Sequence, residues 1–354
     1  MTQHPFTVAL VVPTGIGAEI GGYAGDALPV ARGIASVCDR LITHPNVMNG
    51  AQLYWPIDNA LYVEGYGLDQ YAAGNWGLSP VLSNRVGLVL DQGIEPDLRL
   101  RHLQVADAAR ATLGLRLTDA LVTDAPLNVT LKTAASGATW GTIENPDSLL
   151  RAVERSMKEL RADAIAVVAR FPDDIEQTAL QNYRQGQGVD PLAGAEAVIS
   201  HLVVRTFQIP CAHAPALEPL PVDPQVSPRS AAEELGYTFL PSVLVGLSRA
   251  PQFVQQRGTS TDLWADELDA IVVPETACGG SAVLSLSQTS TRIITVDNPT
   301  ALQVTPERLG IEVIKVRSYL EAMGVLAAQQ AGLEISALMP DLSGIACHDP
   351  FLLD

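Results

Sequence analysis

Short apolar runs rich in β-branched residues alternate with stretches of helical periodicity along most of the chain. Phe6 to Val12 reads as a buried strand. Asp26 to Arg40 reads as a helix, with Leu28, Val30, Ala31, Ile34, Ala35 and Val37 apolar. Leu41-Ile42-Thr43 and Arg85 to Leu90 read as strands, His102 to Leu113 as a helix, and Ala120 to Thr123 as a strand. Asn145-Pro146-Asp147 opens a helix, because Asn caps and Pro suits the first turn. Ala164 to Ala169 is apolar throughout, and Asp190-Pro191 opens a helix running to about Thr206. Thr238 to Leu247, Ala270 to Val273, Arg292 to Val296 and Glu312 to Val316 read as strands, with helices near Ser281 to Ser287 and Ser318 to Ala331. Strands that are apolar throughout and alternate with helices predict an α/β fold: a mostly parallel sheet with helices on both faces, in two lobes around a cleft.

Two segments break the rhythm. Ala214 to Ser230 carries five prolines, which block regular structure and stiffen the chain. It is expected to be either a linker between lobes at 1–213 and 231–354 or a rigid surface loop. Residues 51–76 hold Tyr54, Trp55, Tyr62, Tyr66, Tyr71 and Trp76, six of the chain's 18 aromatics. Such an excursion packs on its own rings, contacts another subunit in a homo-oligomer, or covers a ligand.

Composition narrows the function. A 354-residue chain with 47% hydrophobic residues builds a sizeable core and is not a disordered protein. No apolar run reaches the ~18 residues of a spanning helix, so membrane insertion is not expected. A net charge of -17 argues against nucleic-acid binding, which needs phosphates neutralised. Cys38, Cys211, Cys278 and Cys347 form neither a disulfide framework nor a CxxC pair, which fits a reducing cytoplasm. All but three of the 22 basic residues are arginine, a side chain suited to binding carboxylate or phosphate, although composition bias explains the same count.

In open parallel sheets ligands bind beyond the carboxyl ends of the strands, so the candidate chemistry lies in those segments. Thr14, Gly15, Gly17, Gly21 and Gly22 follow the first strand and offer backbone N–H groups to an anion, although neither a dinucleotide fingerprint nor an ATP-binding loop is in register. A tight structural turn is the other reading. His44, a general acid or base, and Asn46 follow the second strand, and Asp124 ends another. Arg170, Ser248 and Arg249 are candidate ligand contacts, as are Glu275, Thr276, Gly279, Gly280, Asp297 and Asn298. Cys278 is expected at a helix start, where the helix dipole favours thiolate; a small buried residue beside a turn is the alternative. Cys211 and His213 share one face of an extended segment, as a thiolate–imidazole couple or two metal ligands with no third close by, so no metal site is assigned. His201 falls opposite the apolar stripe of its helix and reads as a surface residue.

Five segments together resemble a family of cyanobacterial and plastid proteins carried as a domain of unknown function. They are Val12-Pro13-Thr14-Gly15-Ile16-Gly17-Ala18, Gly21-Gly22-Tyr23-Ala24-Gly25-Asp26-Ala27, Thr43-His44-Pro45-Asn46-Val47, Arg170-Phe171-Pro172-Asp173-Asp174 and Pro210-Cys211-Ala212-His213-Ala214-Pro215. The resemblance spans nearly the whole chain, implies a photosynthetic host, and carries no catalytic residues with it. Pro210-Cys211-Ala212-His213-Ala214 also resembles the cysteine segment of cofactor-independent amino-acid racemases, without the Asn or Thr that follows the cysteine there. The resulting expectation is an enzyme acting on a small anionic metabolite by isomerase, lyase or transferase chemistry without a redox cofactor. His44, Asp124, Cys278, Cys211 and His213 would be its catalytic groups. The competing expectation is a non-catalytic ligand-binding or assembly protein of the photosynthetic machinery. No motif names a cofactor.

Overall fold

The computed structural model describes residues 4–49, 55–173, 177–218, 221–234 and 239–345. The chain opens with β1 (Thr7–Leu10), α1 (Leu28–Ala35), β2 (Arg40–Thr43), α2 (Pro45–Met48), β3 (Ala60–Tyr62), α3 (Gly65–Ala72) and β4 (Gly77–Ser79). It continues through β5 (Val86–Leu90), α4 (Pro96–Leu113), β6 (Leu117–Val122), the hairpin β7 (Val129–Thr133) and β8 (Thr139–Ile143), and α5 (Pro146–Leu160). Next come β9 (Ala164–Arg170), α6 (Gln177–Arg184), α7 (Ala193–Phe207), β10 (Cys211–Ala216), α8 (Pro228–Glu234), α9 (Phe239–Ser248) and β11 (Gln252–Val254). The last elements are β12 (Ala270–Pro274), α10 (Ser281–Leu286), β13 (Arg292–Val296), α11 (Pro306–Leu309), β14 (Ile314–Val316) and α12 (Tyr319–Gln330).

The expected α/β architecture holds, and it is built on two sheets. A six-stranded sheet runs β14-β13-β12-β1-β2-β3 and a four-stranded sheet runs β10-β9-β5-β6; every pairing in both is parallel. The central strands are buried on both faces, which is why they read as unbroken apolar runs. The proline-rich segment does not divide the sheets as a linker at 214–230 would. β1, β2 and β3 share a sheet with β12, β13 and β14, and the intervening chain builds the other sheet.

One apolar core joins the two. It gathers Leu10 and Leu41 of the larger sheet, Leu88 and Val168 of the smaller, and Leu240, Val243, Leu244 and Leu247 of α9. This helix packs against β10, β9 and β5 while touching α2 and α4. The segment Thr238 to Leu247, expected as a strand, is this helix over its described residues. Buried on nearly every side, it shows none of the polar stripe that marks a surface helix. The helix expected over Asp26 to Arg40 is shorter, Leu28–Ala35. Asn145 makes no side-chain cap; its amide donates to the Pro126 carbonyl instead.

Of the aromatic excursion, residues 51–54 lie outside the described part. Much of the remainder, in β3 and α3, turns inward: Tyr62, Tyr71 and Trp76 are buried, with the Trp76 ring tilted against Phe253 at 5.2 Å, while Trp55 is exposed beneath Arg32. It packs on its own rings and its neighbours.

Candidate functional site

A cavity of about 390 Å³ lies beyond the carboxyl ends of β1, β2, β3 and β12, closed on the far side by β10 and α7. From the larger sheet it is lined by Thr14 after β1, His44 and Asn46 after β2, Glu64 after β3, and Gly279 and Gly280 after β12. Asp69 comes from α3, Glu196, Ser200 and His201 from α7, and His213 from β10. Apolar walls are supplied by Val11, Leu68, Phe239 and Val283.

Glu64 organises one side. It caps α3, its Oε2 accepting the backbone N–H groups of Tyr66 at 2.8 Å and Gly67 at 3.2 Å. Its other oxygen lies 2.5 Å from Nδ1 of His201, off the line of a straight hydrogen bond, and 3.4 Å from the Ser200 hydroxyl, for which it is one of the acceptors within reach. Gly65 makes this approach possible, because a Cβ there would stand 2.9 Å from Cε1 of His201. Burial pulls the His201 imidazole down, but the Glu64 carboxylate against it, helped by Asp69, prevails and raises its pKa above the ordinary value. Asp69 accepts the N–H of Ala282, and burial raises its carboxyl above the usual range.

The other two imidazoles have the opposite character. His213 is held neutral by burial and by the positive charge of His201, with its pKa pushed down to about 3. Its Nδ1 lies 3.1 Å from the Ser200 hydroxyl and its Nε2 lies 3.9 Å from Glu196. His44 is buried, and burial brings its pKa down to about 4. Its Nε2 accepts the N–H of Val12 at 3.0 Å, so in the neutral ring the proton sits on Nδ1 as a donor.

Thr14, His44, Asn46, His213, Gly279 and Gly280 are thus brought together as the sequence suggested. The rest of the expected site is elsewhere. Gly15 and Gly17 have φ of 73° and 59° and serve tight packing, since a Cβ on them would stand 3.0 Å from the Thr139 hydroxyl and 2.8 Å from Val189. Gly21 and Gly22 are hemmed in by Val12 and by the Ala18 carbonyl. The glycine loop is a structural turn, with Gly15 accepting a bond from Thr139 N–H.

Asp124 is engaged on the surface by Arg151 at 2.7 Å and by Ser148 at 2.5 Å. Arg170 is held by Glu95 and Asp173, and Arg249 stands exposed 3.9 Å from Asp58. Ser248 bonds the Val245 carbonyl, Glu275 pairs with Lys315, and Thr276 meets Thr300. Asn298 ties Ile20 to Tyr319, and Asp297 is exposed on the same edge. Neither cysteine is a thiolate. Cys278 is fully buried and donates toward the Glu275 carbonyl, and burial pushes its thiol up to about 11. Burial also raises Cys211 well above the ordinary thiol value. The helix after Cys278 starts at Ser281, three residues on, rather than at the cysteine. Cys347 and His348 lie outside the described residues.

Glu64, Asp69, Glu196, Ser200 and His201 are the lining residues the sequence reading missed. Glu196 and Ser200 are i, i+4 and share a helix face, with His201 beside them at the next position, and Glu64-Gly65 follows a short strand hidden in the aromatic segment. Among the described residues no group of three or more His, Cys, Asp or Glu is placed to hold a metal ion. The described lining contains no lysine or arginine.

Residues 7–339 match the family described as "Protein of unknown function (DUF3326)". The chain belongs to the DUF3326 family. It is also 60% identical over 342 residues to a Synechococcus protein named an uncharacterized lipoprotein, covering 96% of this chain and 95% of that one. No solved structure matches the chain. All five segments that carried the resemblance fall within the DUF3326 span, so the cyanobacterial family expected from them is the family found. In this member, no helix among the described residues is long and apolar enough to cross a membrane.

Proposed function

We propose that the cavity is an acid–base active site for a small polar molecule. The observation that carries this reading is one cavity lined by imidazoles whose surroundings push them in opposite directions: His201 lies 2.5 Å from Glu64, which favours its charged form, while burial favours neutral His213 and His44. Environments that push the pKa values of neighbouring groups apart set up an acid and a base at one pH. His201 is the acid, His213 the base, and His44 donates its Nδ1–H to an acceptor on the ligand. Reactions that shift a proton within a molecule, or remove one beside a carbonyl, fit this pair without a cofactor. The expected anionic ligand finds no arginine or lysine in the described lining, so the ligand class is widened to polar molecules in general.

The relative named a lipoprotein favours a second setting, a ligand-binding protein held at a membrane surface, beside the cytoplasmic enzyme. Cys38, Cys211 and Cys278 are buried, so none of these three carries a lipid in the folded state. Incubating the protein with an extract of host metabolites separates the two readings. Consumption of one compound, abolished in His213→Gln, supports the enzyme. Retention without conversion at pH 6 to 9 overturns it in favour of binding.

A further inference from the structure

Ser200 stands between the two imidazoles that carry the acid–base reading. Its hydroxyl lies 3.1 Å from Nδ1 of His213 and 3.4 Å from Oε1 of Glu64, the same oxygen that faces His201 at 2.5 Å. It also lies 3.3 Å from the Ala197 carbonyl. Ser200 is 2% exposed, so water does not readily substitute for these partners. A hydroxyl has one proton to give and can accept in return. It therefore serves one of three acceptors at a time, Glu64, His213 or the Ala197 carbonyl, and only when it serves His213 can that ring carry its proton on Nε2.

We infer that Ser200 is a positioning residue that makes the tautomer of His213 follow the protonation of His201. With His201 charged, Glu64 is already neutralised, and Ser200 gives its proton to Nδ1 of His213. The His213 ring then carries its own proton on Nε2. Once His201 has released its proton, the Glu64 carboxylate is the stronger acceptor and takes the Ser200 hydrogen bond. His213 must then donate from Nδ1 to the Ser200 oxygen, which leaves Nε2 with a free lone pair on the Glu196 side. Loss of a proton at one ring thus prepares the other to take one. The groups facing the pair are Glu64 and Asp69 from α3, Glu196 from α7, His44 after β2 and Cys211 on β10. Of these, Glu64 touches both Ser200 and His201.

This inference rests on the acid–base reading but is tested separately, by nitrogen-15 NMR of histidine-labelled full-length protein with no ligand. Imidazole nitrogen shifts report the protonation of His201 and the tautomer of His213. The ratio of the two His213 tautomers is expected to change by about fivefold across the His201 titration, the scale of a charge-assisted hydrogen bond against a neutral one. Ser200→Ala is expected to abolish that response and Ser200→Thr to restore it. In His201→Gln, where no imidazolium faces Glu64, His213 is expected to stay in the Nδ1–H form across the pH range in which wild-type His201 titrates. A His213 tautomer indifferent to His201 in the wild type, or an unchanged response in Ser200→Ala, overturns the inference while leaving the acid–base reading standing. Coupled tautomers with two rings of equal pKa do the reverse: Ser200 keeps its role and the acid–base function falls.

Discussion

Both sheets end their strands in polar residues, yet only one of those edges faces the cavity with groups left for a ligand. Beyond the four-stranded sheet, Asp91 accepts the N–H groups of Gly93, Leu127 and Arg170, Asp124 meets Arg151 and Ser148, and Arg170 is clasped by Glu95 and Asp173. Every one of these groups closes a turn or a surface pair. Beyond the six-stranded sheet, His44 keeps Nδ1 without a partner among the described residues, and Glu64 holds an imidazole that itself lines the cavity. The difference comes from what stands opposite. The larger sheet's edge looks onto α7 and β10, which close off a volume, whereas Arg151 and Arg170 reach polar partners at the surface. Polar residues after a strand mark a site only where another element encloses them.

The largest effect should come from breaking the satisfied edge. Asp91 is 1% exposed and holds three backbone donors at 2.9, 2.9 and 3.1 Å. Asp91→Ala strands them, at about 1–3 kcal/mol for each buried donor left unsatisfied. A loss of at least ~3 kcal/mol in urea unfolding is expected; a loss within error would show the two edges to be alike after all.

His44 provides the next test, through pH. The unfolded ring takes a proton below 6.5 and the folded ring only below about 4. Between those values the unfolded state binds more protons, so the folded state loses stability as pH falls through that window. From pH 7 to 5 this amounts to about 2 kcal/mol from this ring. The variant His44→Asn should lack that part, so its stability relative to wild type should rise by that amount on acidification. Parallel pH profiles for the two proteins would place the His44 ring in solvent.

Glu64→Gln sharpens the cavity side. His201 has a raised pKa, so its contribution is fully present below pH 6.5 and is lost as pH climbs through the folded value. Its side chain is 42% exposed, which limits the pair to about 1 kcal/mol or less. A glutamine keeps an acceptor for the α3 cap and removes the charge, so the His201 ring should titrate lower by NMR. An unmoved His201 pKa would mean that Glu64 acts as a cap alone. The smallest effect is reserved for Asp124→Ala, which should change neither the urea midpoint nor the His201 and His213 titrations; movement of either titration would tie the outer edge to the cavity.

The parallel strands were legible because burial on both faces writes itself as an unbroken apolar run, as in Ala164 to Ala169 and Ala270 to Val273. The same logic misled at α9. A helix buried on nearly all sides has the same uniform apolarity, and periodicity cannot separate the two. His44 was found because it ends a strand. His201 was passed over because it lies opposite the stripe of Val198, Ile199, Leu202 and Val203, and a sequence does not show that the opposite face meets Glu64. Cys278 looks reactive from its glycines, but only Gly279 and Gly280 are exposed and line the cavity, while the Cys278 side chain turns into the core and is fully buried. Reactivity depends on which way a turn faces, and local sequence leaves that open.

The pairing of β1 with β12 also governs how the molecule comes into being. The Thr7 amide bonds to Asp269, 262 residues away. During synthesis β1 and β2 must wait while the whole four-stranded sheet is made, with one edge of β1 unpaired until β12 emerges. Contacts this distant close late, because the chain must give up loop entropy before they form. The smaller sheet, by contrast, is continuous in sequence from β5 to β10 and can assemble first. A chain made beyond β10 but not yet to β12 would therefore hold all strands of the smaller sheet and lack β12, β13 and β14 of the larger. The wall of the cavity around the histidines is complete only once residues 279–283 have also been made.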